Sequence, residues 1–297
     1  MRVRVLGSGA GGGLPQWNCG CPQCVRSRSA DPLVPPRSQS SIAVSADGRR
    51  WSLVNASPDV RDQLARASAL HPKPGTRDVP LDTVLVTNAD LDHVLGLLVM
   101  REALPYRIVS THWVREALLS HNTVFRILEP AWGVVGLDEP VRLDREGRLE
   151  AKLFPVPGKV PGHLQALAAN HPEATVGVRV TDVESGRRVV IVPGARSLDA
   201  GVVAELAAAA AGFVDGTFFT DRELAVSRPG APGAREMGHV PISGSEGSLV
   251  RLAGLPGRIF YTHVNNTNPV VDSGSKERAL VRAAGIDVAY DGMELEP

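Results

Sequence analysis

The stretch Leu85–Gly96 reads LVTNADLDHVLG, and its residue types are those of a metal site. An apolar run, Leu81–Val86, ends in a polar knot of Asn88, Asp90, Asp92 and His93, and a second apolar run, Val94–Met100, follows. The pattern predicts a strand that stops, a loop of metal-type ligands and a helix that begins. Adjacent Asp92 and His93 can reach one cation only across a sharp turn of the backbone, which a strand-to-helix junction supplies. The alternative is a helix N-terminus with carboxylates near its positive end. Cys19, Cys21 and Cys24 fall within six positions. An odd number packed so tightly excludes a disulfide framework. In a reducing compartment such thiolates favour a structural Zn(II), with three ligands local and the fourth from far along the chain or from water. The competing reading is burial of small side chains. Two more apolar runs end in ligand types: Phe213-Val214-Asp215 and Ile259–Thr262 followed by His263. Asp92, His93 and His263 together make the two-imidazole, one-carboxylate set that holds non-haem Fe(II) and leaves positions open for O2 and substrate. Asp215 is either a further ligand or a group that orients a water or an imidazole. His239, in Met237-Gly238-His239, is a candidate acid/base, or a structural surface histidine. Gly7-x-Gly9-x-x-Gly12 imitates a dinucleotide fingerprint, but Leu14-Pro15-Gln16-Trp17 and the cysteines follow it instead of a helix. Those glycines are read as backbone passing close to a site.

The elements that must position these groups are short. Strands are predicted at Arg2–Leu6, Ser41–Val44, Trp51–Val54, Thr83–Val86, Ile108–Ser110, Lys152–Val156, Thr175–Thr181, Arg188–Val192, Phe213–Val214, Ile259–Thr262 and Asp287–Tyr290. Helices are predicted at Arg61–Ala67, Val94–Glu102, Val114–Leu119, Gly201–Ala211, Gly247–Leu252 and Lys276–Ala284. Their alternation argues for layers of α/β or α+β type, with sites where strands terminate. The Pro/Gly-rich pieces Val156–Gly162 and Arg228–Gly233 read as surface loops over an active site. A single domain over residues 1–297 is expected.

The composition narrows the function classes. Hydrophobic residues make up 43% of 297, enough for a buried core, while aromatics at 4% leave that core to Ala, Val and Leu. Lys+Arg and Asp+Glu are both 32, so the formal charge is zero and nothing points to nucleic acid or a membrane surface as partner. No run approaches the ~20 apolar residues of a membrane span, and the N-terminal apolar stretch is too short for a secretory signal. The expected location is cytoplasmic.

The motifs LGSGAGGGLPQWNCGCPQC (Leu6–Cys24), PRSQSSIAVS (Pro36–Ser45), NASPDVR (Asn55–Arg61), TNADLDHVLGLL (Thr87–Leu98), VPGKVP (Val156–Pro161), VDGT (Val214–Thr217), MGH (Met237–His239), HVNNTNPV (His263–Val270) and AYDGM (Ala289–Met293) run through nearly the whole chain in order. The sequence closely resembles the pyrroloquinoline quinone (PQQ) biosynthesis protein B family of the metallo-β-lactamase superfamily. The resemblance implies an α+β chain with the αββα four-layer sandwich of the metallo-β-lactamase fold, and a role in making the redox cofactor PQQ. It implies an iron-dependent oxygenase that hydroxylates the tyrosine ring of a cross-linked Glu–Tyr dipeptide precursor, with Fe(II) at the active site, Zn(II) in the cysteine cluster and other PQQ-pathway proteins as further partners. Two other activities stay open: carriage or transport of the cofactor or its precursor, and two-metal hydrolysis as the fold suggests. Asn88 and Asp90 stand where hydrolases of this superfamily carry two histidines, which removes one metal position and with it the bridging-hydroxide mechanism. The family likeness also nominates Asn266, three beyond His263, as a weak fourth ligand for the cysteines. A substrate with several carboxylates makes Lys159, Arg101 and Arg235 candidate contacts, and His163 and His171 are spare imidazoles for a missing ligand.

Overall fold

The computed structural model describes residues 1–102, 104–166 and 170–297. The first half forms β1 (Arg2–Gly7), α1 (Pro22–Arg28), β2 (Ser41–Ser45), β3 (Trp51–Val54), α2 (Val60–Arg66), β4 (Leu81–Leu85), α3 (Leu91–Val99), β5 (Arg107–Ser110), α4 (His112–His121) and β6 (Trp132–Val134). The second half forms β7 (Pro140–Arg142), β8 (Leu149–Pro155), β9 (Val176–Asp182), β10 (Arg188–Val192), α5 (Ala200–Ala207), β11 (Ala211–Asp215), α6 (Ser248–Leu252), β12 (Arg258–Thr262), α7 (Lys276–Ala283), β13 (Ile286–Val288) and β14 (Glu294–Leu295). One sheet has the order β14-β1-β2-β3-β4-β5-β6 and the other β13-β12-β11-β10-β9-β8-β7. In each, one part is antiparallel and the other parallel: β3 to β6 run parallel in the first sheet, β10 to β13 in the second.

The parallel strands are buried on both faces, so their residues alternate between two cores rather than between core and water. Leu85, Val54, Val109, Ile191, Phe213 and Phe260 point into a core between the sheets. Their neighbours Val84, Leu53 and Ile108 face α3 and α4 through Val94, Leu97, Val114 and Leu118. On the other sheet Val190, Val192, Val214 and Tyr261 face α5, α6 and α7 through Val202, Leu206, Leu252 and Val281. Three apolar layers therefore separate four layers of structure, the αββα sandwich. Full burial of each large apolar side chain contributes about 1.5–3 kcal/mol.

Differences from the sequence-based expectations have local causes. α3 begins at Leu91, three residues before the predicted start, so Asp92 and His93 occupy its first turn rather than a loop. Asp90 is extended (φ −64°, ψ 140°) and occupies the N-cap position without a side-chain capping bond, and Asp92 sits where the helix dipole favours a carboxylate. α1 was not predicted, because Pro22 opens a helix directly behind Cys21 and the cysteines suggest only a turn. The alanine-rich helix predicted to Ala211 stops at Ala207; Ala211–Asp215 pairs with β10 and β12 instead, tertiary pairing overriding propensity. β6, β7 and β14, of two or three residues each, lie at or near sheet edges and carry no alternation to read.

Candidate metal centre

The ligand-type residues gather where parallel strands of both sheets end. β4 leads through Thr87–Asp90 into α3, which presents Asp92 and His93 in its first turn. From the other sheet, Asp215 is the last residue of β11 and His263 follows directly on β12. His263 adopts φ +55°, a left-handed conformation uncommon outside glycine. Its turn is fastened on both sides: Val264 N–H donates to Ser8 O (2.9 Å), Ala10 N–H donates to Val264 O (3.0 Å) and Asn265 N–H donates to Thr217 O (3.0 Å). The glycine-rich loop after β1 thus runs alongside the site. A Cβ on Gly11 would stand 3.3 Å from Asp92 Oδ2, the close approach that a larger residue would crowd.

One ligand atom each from Asp92, His93 and His263 lies within 4.8 Å of the others. His263 Nε2 and Asp92 Oδ2 are 3.0 Å apart, and the His93 and His263 rings meet edge to face with centroids 5.2 Å apart. His93 Nδ1 is 2.7 Å from Asn88 Oδ1, while His93 Nε2 is buried and finds no hydrogen-bond partner among the described residues. A buried imidazole nitrogen without a partner is costly unless something else satisfies it. A cation between the three side chains would do so, and two imidazoles with one carboxylate are a fitting donor set. Electrostatics agree. Burial drives the His93 pKa down to about 4, keeping its lone pair available. Burial alone would raise the Asp92 carboxyl, but His93 and His263 outweigh it and hold Asp92 well below the usual carboxylate range. Burial alone would lower His263, and Asp92 and Asp215 reverse that and raise it.

A second group joins at His263. Asp215 is fully buried and accepts four hydrogen bonds: from Ala195 N–H (2.9 Å), Thr217 N–H (3.0 Å), the Thr217 hydroxyl (2.6 Å) and His239 Nδ1 (2.8 Å). A carboxylate offers about four lone-pair positions, and all are engaged. Of the two roles expected for Asp215, this arrangement favours orienting an imidazole over ligating a metal. Thr217 Oγ1 also lies 2.9 Å from His263 Nδ1, so Asp215 reaches His263 through that hydroxyl. His239 stacks on His263 with ring centroids 5.5 Å apart and keeps 20% of its side chain exposed. That exposed edge leaves it able to exchange protons with solvent. Thr217 carries no signal in the sequence; a lone threonine after a strand-end aspartate is too common to single out.

The three sulfurs converge separately, at the start of α1. Asn266 Nδ2 stands 3.1 Å from Cys19 Sγ, 3.5 Å from Cys21 Sγ and 3.3 Å from Cys24 Sγ. The Asn266 side-chain amide therefore caps the three-sulfur face. Gln16 N–H donates to Cys24 Sγ (3.3 Å) and Cys21 N–H to Cys19 Sγ (3.4 Å). Burial pushes the Cys24 thiol up to about 11, whereas hydrogen bonds from Cys21 and Asn266 outweigh burial at Cys19 and lower it. A cavity of about 730 Å³ borders this cluster and not the histidines, lined in part by Cys19, Gln23, Glu223, Val226 and Thr267.

The candidate substrate contacts divide. Lys159, in the 156–162 loop, lies beside the His239 turn: its ammonium donates to Glu236 O (3.3 Å), and a Cβ on Gly238 would meet its stem at 2.9 Å. Burial lowers the Lys159 ammonium, Asp90 opposes that, and Arg196 reinforces it. Arg235 donates to Arg196 O (3.3 Å) and Glu246 O (2.7 Å), on the same side of the site. Arg196, not anticipated from sequence, joins these two as a third cation. Arg101 is not brought there. It follows the C-terminal end of α3, where it donates to Leu98 O (2.9 Å), whereas Asp92 sits at the other end, ~12 Å away along the axis. His163 and His171 belong to no convergent donor set among the described residues; His171 Nδ1 accepts from Glu173 N–H instead.

Comparison with known proteins supports the same architecture. A family model for a beta-lactamase superfamily domain matches residues 50–264. The chain is 45% identical over 302 residues to "Coenzyme PQQ synthesis protein B" of Methylobacterium nodulans, and 46% identical over 302 residues to the protein of that name from Ruegeria pomeroyi; both alignments cover 99% of this chain and 99% of the relative. Among solved structures, the Zn(2+)-bound PqqB from Methylobacterium extorquens superposes with TM-score 0.93 at 40% identity, covering 100% of each chain. A diphosphatase from the PhnP family superposes with TM-score 0.67 at 20% identity, over 100% of this chain and 97% of the other, and shares the fold.

Proposed function

The chain belongs to the coenzyme PQQ synthesis protein B family of the β-lactamase superfamily, and we propose that within PQQ biosynthesis it is a mononuclear iron oxygenase. Asp92, His93 and His263 would hold the iron, and Cys19, Cys21 and Cys24, capped by Asn266, would hold a structural zinc. The observation that carries the reading is the buried, partnerless Nε2 of His93 beside Asp92 and His263. Bound Fe(II) would supply O2 activation for hydroxylating the tyrosine ring of a cross-linked Glu–Tyr dipeptide. The protein's own groups do the rest. Asp215 fixes His239 through Nδ1, leaving Nε2 to carry a proton to or from the substrate. Lys159, Arg196 and Arg235 supply positive charge for a substrate's carboxylates, and the Asp90 carboxylate opposes the lowering of the Lys159 ammonium by burial. Asn88 Nδ2 donates to Asp90 Oδ2 (2.8 Å), and neither residue is one of the imidazoles that a second metal position of this fold uses, which favours one metal over two.

The test is anaerobic reconstitution with Fe(II), then addition of O2, a chemical reductant to supply the two electrons that take the second oxygen atom to water, and the cross-linked dipeptide, with product mass and metal content measured for the wild type and His263→Ala. The expected outcome is a product heavier by one oxygen from the wild type, and neither iron nor product from the variant. Normal product from iron-free His263→Ala refutes the ligand assignment. Two catalytic ions per chain besides the cysteine-bound zinc would point to a hydrolase, and stoichiometric binding without oxygen consumption to a carrier.

A further inference from the structure

Asn88 has a role that its residue type does not announce. Its side chain makes three contacts: Oδ1 accepts from Asp90 N–H (3.1 Å), Nδ2 donates to Asp90 Oδ2 (2.8 Å), and His93 Nδ1 lies 2.7 Å from the same Oδ1. A backbone N–H can only donate, so the atom facing Asp90 N must be the amide oxygen. That fixes the orientation of the Asn88 amide. His93 Nδ1 then faces an acceptor and must carry the proton. The neutral ring therefore has its lone pair on Nε2, the buried atom with no partner. The clamp is itself held, since Asn88 is 4% exposed, forms a backbone bridge to Thr175, and is preceded by Thr87, whose carbonyl accepts from Val176 N–H (3.0 Å).

We propose that Asn88 is a positioning residue that locks His93 in the Nδ1–H tautomer and aims its Nε2 lone pair at the metal position. Asn88 thus acts through the imidazole and not as a ligand. Thr217 makes the corresponding contact at His263 Nδ1, and Asp215 at His239 Nδ1, so all three imidazoles of the site are gripped at the same ring atom. The proposal rests on the metal reading given above, but the tautomer is measurable without any metal.

The experiment uses the full chain labelled with ¹⁵N-histidine, stripped with a chelator, and long-range ¹H–¹⁵N NMR at neutral pH. His93 is expected as the Nδ1–H form in the wild type and in Asp90→Asn, which keeps the Asn88 contacts. Asn88→Ala is expected to move His93 toward the Nε2–H form. Titration with Co(II) against a competing chelator then reads affinity, expected to drop ~10–100-fold in Asn88→Ala. A wild-type His93 in the Nε2–H form overturns the proposal and needs no variant, so misfolding of Asn88→Ala cannot hide the answer. An unchanged tautomer and affinity in folded Asn88→Ala overturn it as well. If Co(II) leaves the His93 resonances of the wild type unmoved while the tautomer is as expected, the metal assignment fails and the clamp stands.

Discussion

At the scale of single residues, Glu223 gives a test that does not involve the imidazole set. Its carboxyl accepts from Phe219 N–H (2.6 Å) and from the Thr267 hydroxyl (2.6 Å), and burial pushes its pKa up to about 7. Below its unfolded value, about 4.3, the group is protonated in both states and its contribution to stability is complete. Between there and pH 7 the native protein keeps a proton that the unfolded chain releases, so this contribution declines as pH rises and is gone above 7. Glu223→Gln removes the dependence. The difference in melting temperature, wild type minus variant, should fall across that window and then level off, corresponding to a loss of at most about 3–4 kcal/mol; a flat difference would refute the burial argument. The sequence marked the residues whose side chains have few uses besides chemistry, the clustered cysteines and the strand-end His and Asp. It did not mark Thr217 or the true work of Asn88. Those depend on a hydrogen-bond partner 46 positions away in one case, and on amide orientation in the other.

At the scale of elements, α3 decides whether Asp92 and His93 reach the site, and Gly96 decides where α3 lies. Gly96 N–H donates to Ala56 O (2.9 Å), and a Cβ on Gly96 would stand 2.3 Å from Ser57 O and 2.6 Å from Ala56 O. Both are backbone atoms and cannot swing aside. Gly96→Ala is expected to cost about 3 kcal/mol and to weaken metal binding by shifting the first turn of the helix. Gly133→Ala in β6, where the nearest atom is 3.8 Å away, should do neither. Urea unfolding and metal titration of the two variants check this; equal behaviour would show that the helix seat tolerates a methyl group. All eleven predicted strands are present, because each is a short run rich in β-branched or apolar residues bounded by turn residues. The start of α3 lies three residues earlier than the pattern implies because Asn88, Asp90, Asp92 and His93 look like loop, while the first turn of a helix accepts such polar groups well.

At the scale of the whole molecule, the two chain ends close the first sheet. β14 pairs with β1, and Asp291 accepts from the backbone and hydroxyl groups of Ser8 (2.9 and 2.8 Å) and of Ser38 (2.7 and 2.7 Å). Burial lowers the nearby Arg37 guanidinium to about 10, and the Asp291 charge opposes that. Asp291→Ala should therefore lower stability by about 2–3 kcal/mol, read as a drop in the urea midpoint, and an unchanged midpoint would show the tail to be passive. This closure was not visible in the sequence, where AYDGM carries no pattern that names Ser8 or Ser38 as partners. The convergence of the histidines was likewise suggested by family likeness and residue type, not by spacing, since Asp92 and His263 are 171 positions apart. That separation has a temporal meaning. The thiols are all made within the first 24 residues, whereas the imidazole set does not exist until residue 263 of 297 has left the ribosome and both sheets have formed. A nascent chain thus exposes three thiols long before it holds either the complete imidazole set or the Asn266 cap over the sulfurs.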